Sequence, residues 1–501
     1  MEGSLTQVPY LLTTIVFLPL AAVVICAMLP KHMAGAAKWV AAGVMAVDLA
    51  LVGRLIAVFD VKGGVQAVVD IPWVPQIAIR YHLGVDGISL AMLGLSALLG
   101  LIAVVASWKV DKAPGTYFAM LMLLQVGMNG VFVALDLVLF YVFWELVLVP
   151  MYFLIAMWGG ERRQYASLKF FLYTLAGSVF MLVGIIALYL YSGPNNTFDI
   201  AELVRASAAG SFDGVQGWLF LAFFLGFAVK VPIWPLHTWL PDAHVEAPTA
   251  ASVLLAGVLL KMGTYGFIRI ALPILPVAAR TWAPWIAALA VISIVYGAAV
   301  AFAQTDLKKL IAYSSVSHMG FVMLGIASGT AAGLDGAVAV MVSHGLVTGL
   351  LFLMVGMVYE RTHTRQIAEL SGLSSAVPAI GGILAFASFA SLGLPGLSGF
   401  VGEFLSLLGS WQSALIPHWM TVVAAVGVLL AAAYMLWMVQ RVVLGEASEK
   451  VARISDITVR EVAYVLPLIV LTLVVGVYWN SLLRFVDPAV QGIVTILARV
   501  V

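Results

Sequence analysis

Lys230-Val-Pro232-Ile-Trp-Pro235-Leu-His237-Thr-Trp-Leu-Pro-Asp242-Ala-His244-Val-Glu246 interrupts an apolar run that opens near residue 217. A helix needs roughly 20 apolar residues to cross about 30 Å of hydrocarbon, and this run has the length. Yet a lysine and two prolines stand at its middle. Proline removes a backbone donor and clashes with the preceding turn, so the helix breaks there. A break at membrane depth survives only where protein buries it or where it lines a wet cavity. Gly393-Leu-Pro395-Gly-Leu-Ser-Gly399 has the same character, with glycines that tolerate a distorted backbone. Two broken spans at matching places in two halves of a chain point to a transport pathway.

Composition agrees. Only 10% of the 501 residues are charged and 63% are hydrophobic, with a mean hydropathy of +1.09; soluble chains carry about 25% charged residues. The bilayer must be the solvent for that much apolar surface. A net charge of +1 leaves no basic patch for nucleic acid and no acidic tail. The lone Cys26 sits in an apolar run, which excludes a disulfide and a thiolate metal site. No phosphate loop or dinucleotide fingerprint occurs. The first apolar run, Pro9 to Leu29, has no Lys or Arg before it, the pattern of a retained membrane helix and not of a cleaved signal peptide.

Spans are expected near 9–29, 35–56, 84–107, 116–135, 137–158, 166–191, 217–246, 248–271, 283–303, 308–328, 336–359, 378–410, 419–441 and 461–484. That is an all-α polytopic protein of about fourteen membrane helices. Alternating the loops puts fifteen Lys and Arg on one side and seven on the other. This is the bias of the positive-inside rule, and with an even count both termini face away from the cytoplasm. The broken seventh and twelfth spans are five helices apart. Five is odd, so helices 4–8 and 9–13 are expected to be inverted repeats. The chain then divides into an N-terminal three-helix segment (1–115), two five-helix units (116–272 and 273–442) and a C-terminal helix and tail (443–501).

Four charges fall inside spans: Glu145, Lys230, Lys261 and Glu403. Each costs roughly 2.5–3.5 kcal/mol at a helix centre unless it is paired, hydrated or neutralised. Glu145 and Lys230 as a buried ion pair fixing helix packing is one reading. A buried pair seldom outperforms an apolar replacement, however, and packing needs no broken helix beside it. Lysine can release its proton in an apolar setting where arginine cannot. A carboxylate about 4 Å away favours the ammonium by some 4 kcal/mol at an effective dielectric near 20. Moving that carboxylate would load and empty the amine. His237, His244, His318 and His344 supply imidazoles suited to passing protons near neutral pH, or, equally, packing groups bonded to carbonyls. His237 and His244 lie seven apart but lack the companions of a metal site. Asp48 reads as approaching the outer surface, and Lys308 and Lys309 as snorkelling at a helix start.

The stretch from Lys230 to Thr249 resembles the signature of the proton-conducting membrane subunits of respiratory complex I and of Mrp-type cation/proton antiporters. Gln304-Thr-Asp-Leu-Lys-Lys-Leu-Ile-Ala-Tyr-Ser-Ser-Val-Ser-His-Met-Gly320 is similar to the same pattern. His82-Leu-Gly-Val-Asp-Gly-Ile-Ser-Leu90 resembles the third-helix start of the M-type branch, the counterpart of mitochondrial subunit 4. Glu403 in Val401-Gly-Glu403-Phe stands where the other branches usually carry lysine. The chain also ends soon after its fourteenth span, without a long lateral helix.

The resemblance implies a membrane subunit of proton-translocating NADH:quinone oxidoreductase. A cation/proton antiporter subunit and the equivalent subunit of a membrane-bound hydrogenase are the alternatives. Glu145 would tune Lys230, the switching lysine; Lys261 would be the central relay and Glu403 the terminal carboxylate. His237, His318 and His344 would support the relay. No redox site, cofactor or metal is implied on this chain: FMN, iron–sulfur clusters and quinone belong to partner subunits. Two homologous antiporter-like chains would flank it in a bacterial inner membrane.

Overall fold

The computed structural model describes residues 10–193 and 196–499. The first predicted span therefore begins, at residue 9, outside the described residues. In chain order the membrane helices open with α1 (Leu11–Met28) and α2 (His32–Val58). A hairpin of β1 (Gln66–Val74) and β2 (Ile79–Val85) follows. Next come α3 (Gly87–Ala106), α4 (Pro114–Val133), α5 (Leu137–Trp158) and α6 (Arg163–Tyr191). The short α7 (Ile200–Ala208) precedes the two halves of the seventh span, α8 (Gln216–Lys230) and α9 (Trp239–Glu246). Then run α10 (Thr249–Ile274), α11 (Pro276–Phe302), α12 (Leu307–Ser328) and α13 (Ala331–Thr362). The twelfth span is likewise halved, into α14 (Pro378–Ser391) and α15 (Ser398–Gln412). The chain closes with α16 (His418–Val443), α17 (Val459–Val477) and α18 (Asn480–Ala498).

Among the described residues, 13 helices are long and apolar enough to cross a membrane. All but α18 coincide with predicted spans, and the two broken spans complete the predicted fourteen. This is a multi-pass membrane protein. Two elements differ from expectation. The stretch read as a polar linker at 57–83 holds the hairpin, paired as Asp70↔His82 and Ile71↔Tyr81 and clamped by Arg80 to Asp70 at 2.6 Å. The last predicted span stops at Val477, and the tail is the helix α18. Its Arg484, Asp487 and Gln491 fall on one face while Val486, Val490, Ile493 and Leu497 are buried on the other. Its apolar residues are confined to one face, so it does not read as one continuous apolar run, and at a mean hydropathy of 1.4 it is the least apolar of the thirteen.

Loop contacts sort the connections onto two faces. On one, Leu135 donates to His82 O, Ile200 to Leu135 O, and Arg280 to Leu497 O. On the other, Trp158 donates to Lys112 O, Gly160 to Glu246 O, Leu307 to Arg365 O, and Gly372 to Leu444 O. These are the hairpin face and the basic face, and they alternate as the charge count requires. Between them α10 and α13 are wholly enclosed, and α12 nearly so. Those three central helices carry Lys261, His318 and His344, which is why polar groups on them escape lipid.

The halves repeat. Asp136 caps α5 by accepting from Val138 and Leu139 N–H, and Asp306 caps α12 through Lys308 and Lys309 N–H. Each cap residue also bridges a later loop, Asp136 to Asp199 and Asp306 to Gln366. Gly127 lies against Val147 and Gly297 against Ser317 so closely that a Cβ on either would clash. The caps and the glycine contacts hold at one offset of 170 residues, and the bridged loop positions, Asp199 and Gln366, at 167. The first cap is on the hairpin face and the second on the basic face, the relation of two inverted units.

Candidate functional site

The first break satisfies freed backbone groups from side chains, the second within its own backbone. In the first, Trp239 Nε1 donates to Val229 O at 2.9 Å, and Trp234 N donates to Ser293 Oγ at 3.0 Å. In the second, Gly393 and Gly396 take φ of 80° and 93°, the left-handed region that glycine enters without a Cβ penalty. Gly393 has a further reason to lack a side chain: its Cβ would lie 3.0 Å from Glu403 Oε2.

Beside the second break is a continuous row of ionisable groups. Lys261 Nζ donates to Ala256 O, in the π-helical turn Leu255–Leu259, and meets His344 Nδ1 at 2.6 Å. Such turns, with one extra residue, recur at functional sites. The His344 and His318 rings are 5.8 Å apart centre to centre. His318 Nδ1 then meets Glu403 Oε1 at 2.8 Å, and its Nε2 meets Ser391 Oγ at 3.1 Å. A cavity of about 10 Å³ is lined by His318, Ser343, His344, Thr348, Ser391 and Glu403. That is room for about one water molecule among enough polar partners to hold it. All four ionisable members of the row are buried.

The first break is arranged differently. Lys230 closes α8, buried, with Nζ 5.1 Å from the centroid of the Trp144 ring and no hydrogen-bond partner. Glu145 Oε1 is also enclosed and unpartnered. No Glu145–Lys230 ion pair forms within 4.0 Å among the described residues, so the expected separation of about 4 Å is not observed. Helix geometry explains it. Successive residues point about 100° apart, and here Trp144 is the one that faces the ammonium. His237 stands beyond the break with its ring near Tyr296 (5.2 Å) and Tyr313 (6.4 Å), and its Nδ1 has no partner. The structure thus brings Lys261, His344, His318 and Glu403 together and leaves Glu145, Lys230 and His237 outside that row, with no hydrogen bond or ion pair between them among the described residues.

Sequence reasoning understated three groups. Lys308 does not snorkel: it is buried and donates to Ala247 O at 2.6 Å. It lines a cavity of about 220 Å³ with Glu246, Thr249, Tyr359 and Arg365. An adjoining cavity of about 440 Å³ on the basic face, lined by Arg162, Asp242, Asp306 and Lys309, shares Glu246, Tyr359 and Arg365 with it. His244 is fully buried, stacked on Phe352 at 4.6 Å with both ring nitrogens unpartnered. Asp48 does not approach the surface: it is fully buried and accepts from Asn129 Nδ2 at 3.2 Å, beside Gln125 and Ser96. Lys308 and Lys309 point about 100° apart, and on a helix enclosed on nearly every side one of the two is turned inward. Among the described residues no His, Cys, Asp or Glu cluster could hold a metal ion.

This geometry has known relatives. A family model described as NADH:quinone oxidoreductase/Mrp antiporter, TM, matches residues 134–431. NADH-quinone oxidoreductase subunit M of Rhodobacter capsulatus is 47% identical over 497 residues, 97% of this chain and 96% of that protein. Subunit M of Escherichia coli strain K12 is 43% identical over 439 residues, 85% of either chain. A chain of respiratory complex I from Thermus thermophilus with bound NADH superposes with a TM-score of 0.89 at 31% identity, over 97% of this chain and 99% of that one. A chain of the Mrp complex from Dietzia sp. DQ12-45-1b gives 0.83 at 23% identity, over 97% of this chain and 52% of that one, a likeness of fold. With 298 of its residues inside the family model and a near full-length relative at 47% identity, the chain belongs to the NADH:quinone oxidoreductase/Mrp antiporter transmembrane family, in its subunit M branch.

Proposed function

We propose that this chain is the proton-translocating M-type subunit of the membrane arm of NADH:quinone oxidoreductase. The observation that carries this reading is the buried row Lys261–His344–His318–Glu403, closed by hydrogen bonds at both ends and by a water-sized cavity between. An imidazole accepts a proton on one nitrogen and releases it from the other. His344 takes the Lys261 proton at Nδ1 and passes it on through Nε2, which has no protein partner. His318 holds Glu403 with Nδ1 and so receives on its Nε2 side. Lys261 is the central relay and Glu403 the terminal carboxylate.

Lys230 and Glu145 form the switch, and His237 supports it. In the geometry seen here the pair is apart, which is the arrangement in which Lys230 gives up its proton; approach of Glu145 reloads it. Lys308 and His244 connect the basic-face cavities to the row. Electron transfer takes place on partner subunits that carry FMN, iron–sulfur clusters and quinone, and no redox site belongs to this chain. Two homologous membrane chains flank it, in a bacterial inner membrane with both termini on the non-cytoplasmic side. Residues 116–272 and 273–442 each form one half-channel, between a three-helix segment (1–115) and a terminal segment (443–501).

The test is NADH-driven proton uptake by the complex in liposomes. His344→Ala should lower uptake at least about tenfold, one power of ten for each 1.4 kcal/mol added to the transfer barrier. Assembly on native gels should persist. Unchanged uptake in that variant would remove the row from the proton path.

A further inference from the structure

Two cavities separate from the one in the row share a wall and run inward from the hairpin face. The first, about 580 Å³, is walled by the hairpin, the start of α3, the end of α10 and the buried side of α18. Most of its lining is apolar, with Phe59, Val65, Ile268 and Ile493. Its polar lining is Lys62, His82, Asp86 and Arg269. Arg269 gives Nη1 to Asp86 at 2.7 Å, and its Nε is enclosed without a partner. His82 is held by Asp199 at 2.5 Å. Lys62 is exposed and, among the described residues, makes no ion pair within 4.0 Å. With the Arg269–Asp86 and His82–Asp199 pairs matched, the ammonium of Lys62 is the unpaired charge in the chamber lining, beside a guanidinium that is 17% exposed.

The second cavity, about 320 Å³, is a groove between α2, α3, α13 and α17 with no charged residue in its lining. Phe485 of α18 belongs to both cavities and forms their common wall. Along α3 the groove runs from Leu90 to Leu98, about 12 Å at 1.5 Å per residue. Half of a hydrocarbon core of about 30 Å is similar, so the groove is one leaflet deep. Two missing side chains keep it open. A Cβ on Gly53 would meet nothing within 4 Å, and one on Gly94 would touch only Ile56 Cδ1, at 3.6 Å.

We propose that the paired cavities bind one phospholipid, its phosphate against Lys62 and Arg269 and one acyl chain in the groove over Gly53 and Gly94. The charge suits a phosphodiester, whose single negative charge answers the Lys62 ammonium while its oxygens accept from the part of the Arg269 guanidinium that stays accessible beside Asp86. The depth suits a chain anchored at the hairpin-face surface. A lipid seated there fastens α18 to α3 and α17, which otherwise leave a gap beneath Phe485. The inference is independent of the proton path.

The experiment uses the intact complex in liposomes containing a phosphatidylglycerol with a diazirine on its acyl chain, followed by irradiation and peptide mass spectrometry. Adducts are expected on the segments Leu90–Leu98 and Leu471–Val475. Gly94→Leu and Gly53→Leu place their side chains in open space and should each reduce those adducts about tenfold, the loss given by 1.4 kcal/mol of affinity. Lys62→Glu should reduce them when the probe has the phosphate headgroup. Native gels and NADH oxidation confirm that the variants assemble. The proposal is overturned if adducts survive both glycine variants, if the wild-type groove stays unlabelled while other lipid-facing helices react, or if a diazirine fatty acid or quinone labels the groove and the phospholipid does not.

Discussion

At Lys230 the structure separates two roles that the sequence left open. An amine buried without a hydrogen-bond partner costs stability, whereas half of a formed ion pair destabilises the fold by about 3–5 kcal/mol when it is removed. Lys230 is of the first kind, held only against the Trp144 ring. Lys230→Met should therefore raise the midpoint of thermal denaturation of the detergent-solubilised complex while abolishing NADH-driven proton uptake. A lowered midpoint with normal uptake per assembled complex would return Lys230 to a packing role. Lys261 allows a complementary substitution. Lys261→Arg keeps a cation near Ala256 O and His344, but a guanidinium does not release its proton. Uptake should fall about tenfold or more with assembly intact, and full uptake would exclude Lys261 as a relay. Residue type and span position made these lysines legible, because a charge at mid-span needs a reason. His244 and Asp48 were less so. Their importance rests on which face of the helix they occupy, and on helices enclosed on every side the apolar pattern carries no such information.

The two breaks show what proline and glycine reveal about an element and what they conceal. Pro232, Pro235, Pro395 and the left-handed Gly393 and Gly396 mark the interruptions in the sequence. The partners that make the interruptions tolerable come from distant positions: Trp239 for Val229 O and, across to α11, Ser293 for Trp234 N. Removing one partner of a buried pair leaves the other unsatisfied, at about 1–3 kcal/mol. Trp239→Phe keeps the ring and loses the donor, so it should lower thermal stability by that order and speed amide exchange across residues 226–233. Unchanged exchange there would show that another donor or a water serves Val229 O. The hairpin and α18 escaped a search built on apolar length for a common reason. Both lie at the surface: β1 buries Val69 alone, and α18 buries one face at a period near 3.6. The hairpin offers no long apolar helix to count, and α18, at a mean hydropathy of 1.4, is the least apolar of the thirteen.

On the scale of the molecule, one offset of 170 residues links caps and helix contacts on opposite faces, and the loops that the caps bridge follow within three residues of it. In the sequence only the odd count between the breaks hinted at this, with Leu135-Asp136-Leu137 against Thr305-Asp306-Leu307 as the sole local echo. Packing constrains a repeat mainly at its close contacts, so most side chains drift while a cap or a glycine persists. The equivalence has a consequence that can be measured. Asp136 holds the first turn of α5 and also accepts from Arg80 N–H at 3.1 Å, so it fastens the hairpin. Asp306 holds the first turn of α12 and pairs with Arg365 at 3.3 Å, so it fastens the loop after α13 on the basic face. Replacing either by alanine loses a helix cap worth about 0.5–2 kcal/mol. If the units are inverted copies that pack as separate bodies, the effects fall on opposite faces and add. Deuterium exchange followed by mass spectrometry should then show Asp136→Ala opening residues 66–85 and 196–202 alone. Asp306→Ala should open 362–370 alone, and the double variant should show the two patterns superposed. Exchange that spreads from one face to the other in either single variant would mean that the units move as one body, and proton coupling between them would then need no relay of separate switches.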